Sequence, residues 1–243
     1  VKAVTPQSLK AAYDSMLQND TVDIYVVGDI DVEEMTEKLR QVLAFGDREL
    51  HEKQLKTEID TKPEEYTKEQ QEMKQGKLNI GFSTPVYFGD PDFPKMQIFN
   101  GIFGGYAHSK LFMNVRERES LAYYASSSYS SQYGLVFVTS GIEPSNEKKA
   151  IDVINEQLKV MQNGEISDLE LTQTKAMLTN QLKEALDSAR GQIEIYDQYK
   201  DLNEAFTIDT WASRWQQVTK EDVQQMAKQV KQEAIYFLCG KED

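Results

Sequence analysis

Cysteine and histidine are scarce: the 243 residues include one cysteine, Cys239, and two histidines, His51 and His108. A single cysteine excludes an internal disulfide framework. Its place in the apolar run 234–239 marks it as a small buried hydrophobe, a usage that fits a reducing cytoplasm. A hydrolytic zinc site needs two histidines one helical turn apart plus a third ligand, so that both imidazoles point at one ion. No His-x-x-Glu-His or related motif occurs, and His51 and His108 are far apart, the first in a charge-dense stretch and the second at a loop-to-helix junction. No metal is therefore expected on this chain. A Gly-x-Ser-x-Gly elbow is missing, which disfavours serine hydrolysis. The glycines of Gly101-Ile102-Phe103-Gly104-Gly105 follow a helical pattern with no Gly-Lys-Ser/Thr behind them, so they read as a helix stop and a point of close packing rather than a phosphate loop.

Long apolar runs are also absent: none approaches the roughly 20 residues that span a bilayer, and the first residues lack signal-peptide organisation. Positive charge is in deficit, with 27 basic against 40 acidic residues and a net charge of -13. That field repels phosphate backbones and anionic lipid, so neither nucleic acid nor membrane is an expected partner. The acidity reads as a solubility feature in preference to a device for selecting lysine-rich substrates.

What is present is ordinary globular material, 40% hydrophobic and 10% aromatic, with an internal repeat. Val4-Thr5-Pro6 opens a helical pattern through Leu9, Ala12, Tyr13 and Met16, followed by the strand-like Ile24-Tyr25-Val26-Val27-Gly28. Val218-Thr219 opens a matching pattern through Val223, Met226, Ala227 and Val230, followed by Ile235-Tyr236-Phe237-Leu238-Cys239-Gly240. A module's closing helix and strand thus occur twice, so residues 1–46 are expected to be the closing helix-strand-helix of a preceding homologous domain and 77–243 a complete one. The polar stretch 47–76, with Lys62-Pro63-Glu64-Glu65, reads as an interdomain linker about which the domains close.

Within 77–243, Leu78 to Phe82 alternates as a strand, and Pro94 starts a helix with Ile98, Phe99 and Ile102 on its apolar face. A second helix from about Ser109 carries Leu111, Phe112 and Val115. A hairpin follows, turning near Ser131-Gln132. The next helix stops at Asn163-Gly164; Ser167 with Glu170 forms a capping box for a long helix that Arg190-Gly191 breaks; Trp211, Trp215 and Val218 mark another helix. The expected class is α+β, an antiparallel sheet with helices packed on one face.

The chemistry left over lies in Arg116-Glu117-Arg118-Glu119-Ser120-Leu121-Ala122-Tyr123-Tyr124, where a helix meets a strand. Glu117, Arg118 and Glu119 read as a solvated face. Arg116 follows Val115, and strict alternation puts Tyr123 on the face of Leu121 and Ala125, so both are expected half-buried. There they could hold a peptide carbonyl or a developing oxyanion, or simply pack and pair.

With Gly104-Gly105, Ser109-Lys110-Leu111-Phe112, Arg116-Glu117 and Leu121-Ala122-Tyr123 in this order and close spacing, the chain resembles the pitrilysin/insulinase family of zinc metallopeptidases, which includes the processing peptidases. The resemblance implies paired homologous domains around a peptide chamber, with zinc and its general base supplied by an N-terminal half or a partner subunit. It implies a substrate-binding role for Arg116 and Tyr123, which match the family's arginine and the tyrosine seven positions later. This chain is then the non-catalytic, substrate-binding C-terminal half, without peptidase activity alone. Two alternatives stay open: half of an inactive subunit that pairs with a zinc-bearing partner, and a peptide-binding interaction module that works by strand addition.

Overall fold

One sheet holds five strands, β1 (Glu65–Gln71), β2 (Gly76–Ser83), β3 (Ala122–Ser130), β4 (Leu135–Ile142) and β5 (Lys231–Gly240), in the order β1-β5-β2-β4-β3, with burial at a period of two clearest in β2. The computed structural model describes residues 3–43, 56–59, 65–202 and 207–240. Its helices are α1 (Pro6–Asn19), α2 (Val32–Val42), α3 (Phe93–Asn100), α4 (Glu147–Gln162), α5 (Asp168–Leu186), α6 (Ala189–Tyr199), α7 (Ile208–Gln217) and α8 (Lys220–Gln229). Two compact units result, one of Val1–Gln54 with Ala185–Tyr199 and one of Leu55–Glu184 with Lys200–Asp243.

The second unit holds the sheet. Leu78, Ile80 and Phe82 on β2 are fully buried, facing the same side as Phe237 of β5 and Val136 and Val138 of β4. Each such side chain contributes about 1.5–3 kcal/mol by leaving water. The layer above them comes from α3 with Met96, Ile98 and Phe99, α4 with Ala150, Ile154 and Met161, and α8 with Val223, Met226 and Ala227. α8 packs on both α3 and α4. On the opposite sheet face Tyr124 and Phe137 stay exposed, which is the expected arrangement of helices on one side.

Two expectations about the sheet need correction. It is mixed rather than antiparallel, because β1 runs parallel to β5. In addition, β1 lies inside the span 47–76 read as linker. Its sequence EYTKEQQ lacks an apolar alternation because it is an edge strand anchored by polar side chains. The Tyr66 hydroxyl and the Lys68 ammonium both donate to the Glu147 carboxylate at the start of α4, the latter at 3.0 Å, and Lys68 Nζ lies 5.3 Å from the centre of the Phe237 ring.

Helix boundaries follow local chemistry. Thr5 and Thr219 each form a capping box, with Ser8 and Asp222, so the two copies of the repeat start their helices alike. Gly164 takes φ +85 after α4, and the Ser167–Glu170 box opens α5. The break after α5 falls at Asp187-Ser188, earlier than the expected Arg190-Gly191. The Ser188 hydroxyl accepts from the Gly191 N–H at 3.0 Å and caps α6. Gly191 is needed inside α6 because a Cβ there would collide with the Ala185 carbonyl.

In the first unit, α1, α2 and α6 accompany the segment 21–27, where Tyr25 donates to Asp197 of α6 at 2.9 Å. The strand expected at Ile24 to Gly28 does not form. A strand exists only when a neighbour accepts its hydrogen bonds, and none of the described strands is paired with it; Ile24, Val26 and Val27 are 47%, 43% and 40% exposed.

Because the Glu147 carboxylate takes both the Tyr66 hydroxyl and the Lys68 ammonium of this edge strand, Glu147→Ala is expected to speed amide hydrogen exchange across residues 65–71 while β2 and β4 keep their protection. Uniform exchange changes over the whole sheet would refute that assignment.

Candidate functional site

The segment that carries Arg116 is a π-helical turn, Phe112–Arg118, which follows a single α-helical start at Lys110 and Leu111. Its wide pitch appears in the Glu119 N–H, which donates to the Asn114 carbonyl at 3.1 Å, and in the Leu121 N–H, which reaches back to the Val115 carbonyl at 3.0 Å. Leu111 and Val115 are fully buried. From behind, Asn114 Nδ2 donates to the Lys110 carbonyl and to Gln157 Oε1 of α4, both at 2.9 Å.

Lys110 is almost fully buried and pairs with Glu170 of α5 at 2.9 Å. Burial pushes the Glu170 carboxyl up, but the Lys110 ammonium together with the Ser167 N–H and hydroxyl outweighs it and holds the carboxyl below its ordinary range. Nearby, His108 Nε2 lies 2.9 Å from the Thr174 hydroxyl, and its ring stacks on Tyr106. Burial lowers the His108 pKa against the opposing pull of Glu170, and burial pushes the Tyr106 phenol up to about 12. His108 is thus a packed structural histidine. His51 lies outside the described residues. Among the described residues no group of three or more His, Cys, Asp or Glu is placed to hold a metal ion, so the donor set present does not fit zinc.

The glycines read as a helix stop form a second π-helical turn, Gly101–Gly105. A Cβ on Gly104 would stand 2.6 Å from the Ser127 backbone nitrogen of β3, which is the close packing expected there.

Arg116 and Tyr123 are both more exposed than expected. The Arg116 side chain is 43% exposed, its guanidinium lies 4.6 Å from the centre of the Phe112 ring, and Nε stands 3.6 Å from Glu117. Tyr123 is 60% exposed because a β-bulge interrupts the β3–β4 ladder: Ala122 faces Ile142, Tyr124 faces Gly141, and Tyr123 is the extra residue. Alternation counted from Leu121 therefore fails by one, and the face of Leu121 and Ala125 does not include Tyr123. The Tyr123 hydroxyl donates to the Glu143 carboxylate, which raises the phenol pKa. Among the described residues no hydrogen bond joins Arg116 to Tyr123. Arg118 and Glu119 form the solvated face expected of them, Glu119 pairing with Lys149 at 2.8 Å.

Two features went unseen in the sequence. Tyr124, 42% exposed, lies across Gly141, where a Cβ would collide with its ring. Ser120, between Arg116 and Tyr123, takes φ +50, the left-handed region that glycine favours.

A five-stranded sheet with helices on one side, entered at its edge strand from a π-helical turn, is here the architecture of a peptidase-family domain. Residues 3–178 match the family model described as the peptidase M16 inactive domain, and the chain belongs to that family. It is 39% identical over its full length to the Bacillus subtilis strain 168 protein named "Probable inactive metalloprotease YmfF", covering 57% of that relative. A crystal structure of a conserved protein from Enterococcus faecalis V583 is 38% identical with a TM-score of 0.89, matched over 100% of this chain and 57% of that one. The peptidase M16 inactive domain from Pseudomonas fluorescens shares the fold at a TM-score of 0.78 and 18% identity, over 99% of this chain and 59% of that one. The chain thus spans a little under three fifths of these relatives. Zinc proteases are among its relatives, as the name of the Bacillus subtilis protein YmxG, 28% identical over 138 residues, states. No described helix is long and apolar enough to cross a membrane.

Replacing Ser120 by glycine removes a left-handed strain of about 1–2 kcal/mol at an entropic cost of about 0.5–1 kcal/mol. Ser120→Gly is expected to raise the urea midpoint by the equivalent of roughly 0.5–1 kcal/mol, and Ser120→Val to lower it. A midpoint that falls in the glycine variant would count against the strain.

Since the folded-state pKa of Glu170 is depressed, its contribution to stability is present above the unfolded carboxylate value and is lost as pH falls through the folded one. Glu170→Gln is accordingly expected to lose most stability near pH 7 and to approach the wild type in acid. Denaturant midpoints measured down the pH scale check this, and a pH-independent difference would overturn it.

Proposed function

We propose that this chain is the substrate-binding, non-catalytic half of an M16-type zinc peptidase, completing a peptide chamber whose zinc and general base come from an N-terminal half or a partner subunit. Arg116 and Tyr123 contact the peptide. The observation that carries this reading is their presentation: both are exposed, and the turn that carries Arg116 is pinned by buried polar contacts of Lys110 and Asn114. A guanidinium with donors facing solvent is suited to peptide carbonyls, including those on which charge grows during hydrolysis.

In this reading residues 1–46 close a preceding homologous domain, and 77–243, completed by the edge strand β1, is a domain of its own. The shared capping boxes of α1 and α8 support it, as does the exposure of the apolar Ile24, Val26 and Val27. Domain closure about the segment between them gates access. The single buried cysteine supports a cytoplasmic location.

The name of the relative YmfF favours a second reading, in which the complete protein itself is without zinc and acts by pairing with an active partner. A quenched-peptide assay with added zinc decides between them. The chain alone is expected to be inert and the complete gene product active, with Arg116→Ala and Tyr123→Phe each costing about 10-fold or more in kcat/KM. An inert complete protein moves the activity to a partner subunit. Full activity in both variants sinks the assigned residue roles.

A further inference from the structure

The Tyr123 hydroxyl has one proton and two lone pairs. That proton is committed: the hydroxyl donates to the Glu143 carboxylate, a charge-assisted bond of the strong kind. Glu143 is well placed to keep it. It follows Ile142, the last residue of β4, whose ladder partner Ala122 directly precedes the bulged Tyr123. Glu143 itself sits at φ -68 and ψ 135, ahead of Pro144, whose ring fixes the start of a short 3-10 turn, Pro144–Asn146. A tyrosine ejected from the ladder and 60% exposed would otherwise sample several rotamers, so the carboxylate decides where the phenol points and which of its groups faces outward.

We propose that Glu143 is a positioning residue that holds Tyr123 as a hydrogen-bond acceptor, so that its phenol oxygen takes a backbone N–H of the bound peptide while Arg116 takes carbonyls. This rests on the reading of Arg116 and Tyr123 as substrate contacts. It changes the chemistry of that reading, because a hydroxyl already spent on a carboxylate does not stabilise an oxyanion. The division matches the ligand: an extended peptide offers donors and acceptors in equal number, arginine supplies only donors, and the tethered tyrosine supplies only lone pairs. Glu143 also adds negative charge beside the tyrosine, which disfavours a substrate carboxylate there.

The test uses the 243-residue chain and a fluorescein-labelled, unstructured dodecapeptide, with a set of analogues methylated at one backbone nitrogen each. Methylation at one position is expected to weaken binding to the wild type about 3- to 10-fold and to have no further effect in Tyr123→Phe. Glu143→Ala is expected to weaken binding of the parent peptide by a similar factor, Glu143→Gln by less because its amide oxygen still accepts, and the Tyr123→Phe double variant by no more than either single one. Tighter or unchanged binding in Glu143→Ala overturns the proposal, since it would mean that the freed hydroxyl serves the peptide as a donor. Cζ shifts of isotopically labelled tyrosine report the pairing without any ligand. One phenol, missing in Tyr123→Phe, should titrate at lower pH in Glu143→Ala, and an unchanged titration also overturns it. No binding by the wild type sinks the underlying substrate reading, whereas binding weakened by Tyr123→Phe and indifferent to Glu143 sinks this proposal alone.

Discussion

β2 is the strand on which the second unit depends. It lies between β5 and β4, and its Leu78, Ile80 and Phe82 meet Phe237, Val138 and Val136 beneath the helices. With both neighbours hydrogen-bonded to it and one face buried, its register cannot slip by one residue without turning those three side chains into water. The hairpin β3–β4 and the closing pair α8–β5 take their positions from that register. The connection that carries Arg116 and enters β3, two strands out from β2, therefore inherits its place from a purely apolar constraint.

Polar contacts then fix what the apolar core leaves undecided. Lys110 with Glu170 and Asn114 with Gln157 tie the π-helical turn to α5 and α4, each buried group finding its partner. A buried ion pair adds little net stability, but breaking one side of it leaves a bare charge, so such pairs favour a single arrangement. That suits the role proposed for Arg116, which needs its turn held in one direction.

Much of this was legible in the sequence. The alternation at Leu78 to Phe82, the capping boxes at Ser167 and Thr219, the stop at Gly164 and the close approach at Gly104 all have local signatures, and the structure places them where the residues indicate. Arg116 and Tyr123 came from the family resemblance; the residues alone favoured packing. What escaped was set by neighbours distant in sequence. β1 is polar because Glu147, more than seventy residues on, supplies its anchor. Tyr123 faces water because β4 holds one residue fewer than β3 across from it, which no count along β3 alone reveals. The segment 21–27 has a strand's composition, but none of the described strands forms a ladder with it. Glu143 carried no signal, being one acidic residue among 40 acidic residues.

The sheet order has a consequence for how the chain is made. β5, the last strand, lies between β1 and β2, the first two, so the loop it closes is nearly as long as the unit itself. While a ribosome is still adding α7 and α8, β1 has no hydrogen-bonding neighbour and β2 has an open edge with an apolar face beside it. The nascent chain therefore stays short of a finished sheet until β5 emerges. A chain cut before Lys231 would lack the strand that stands between β1 and β2, and its exposed β2 edge would be open to another copy.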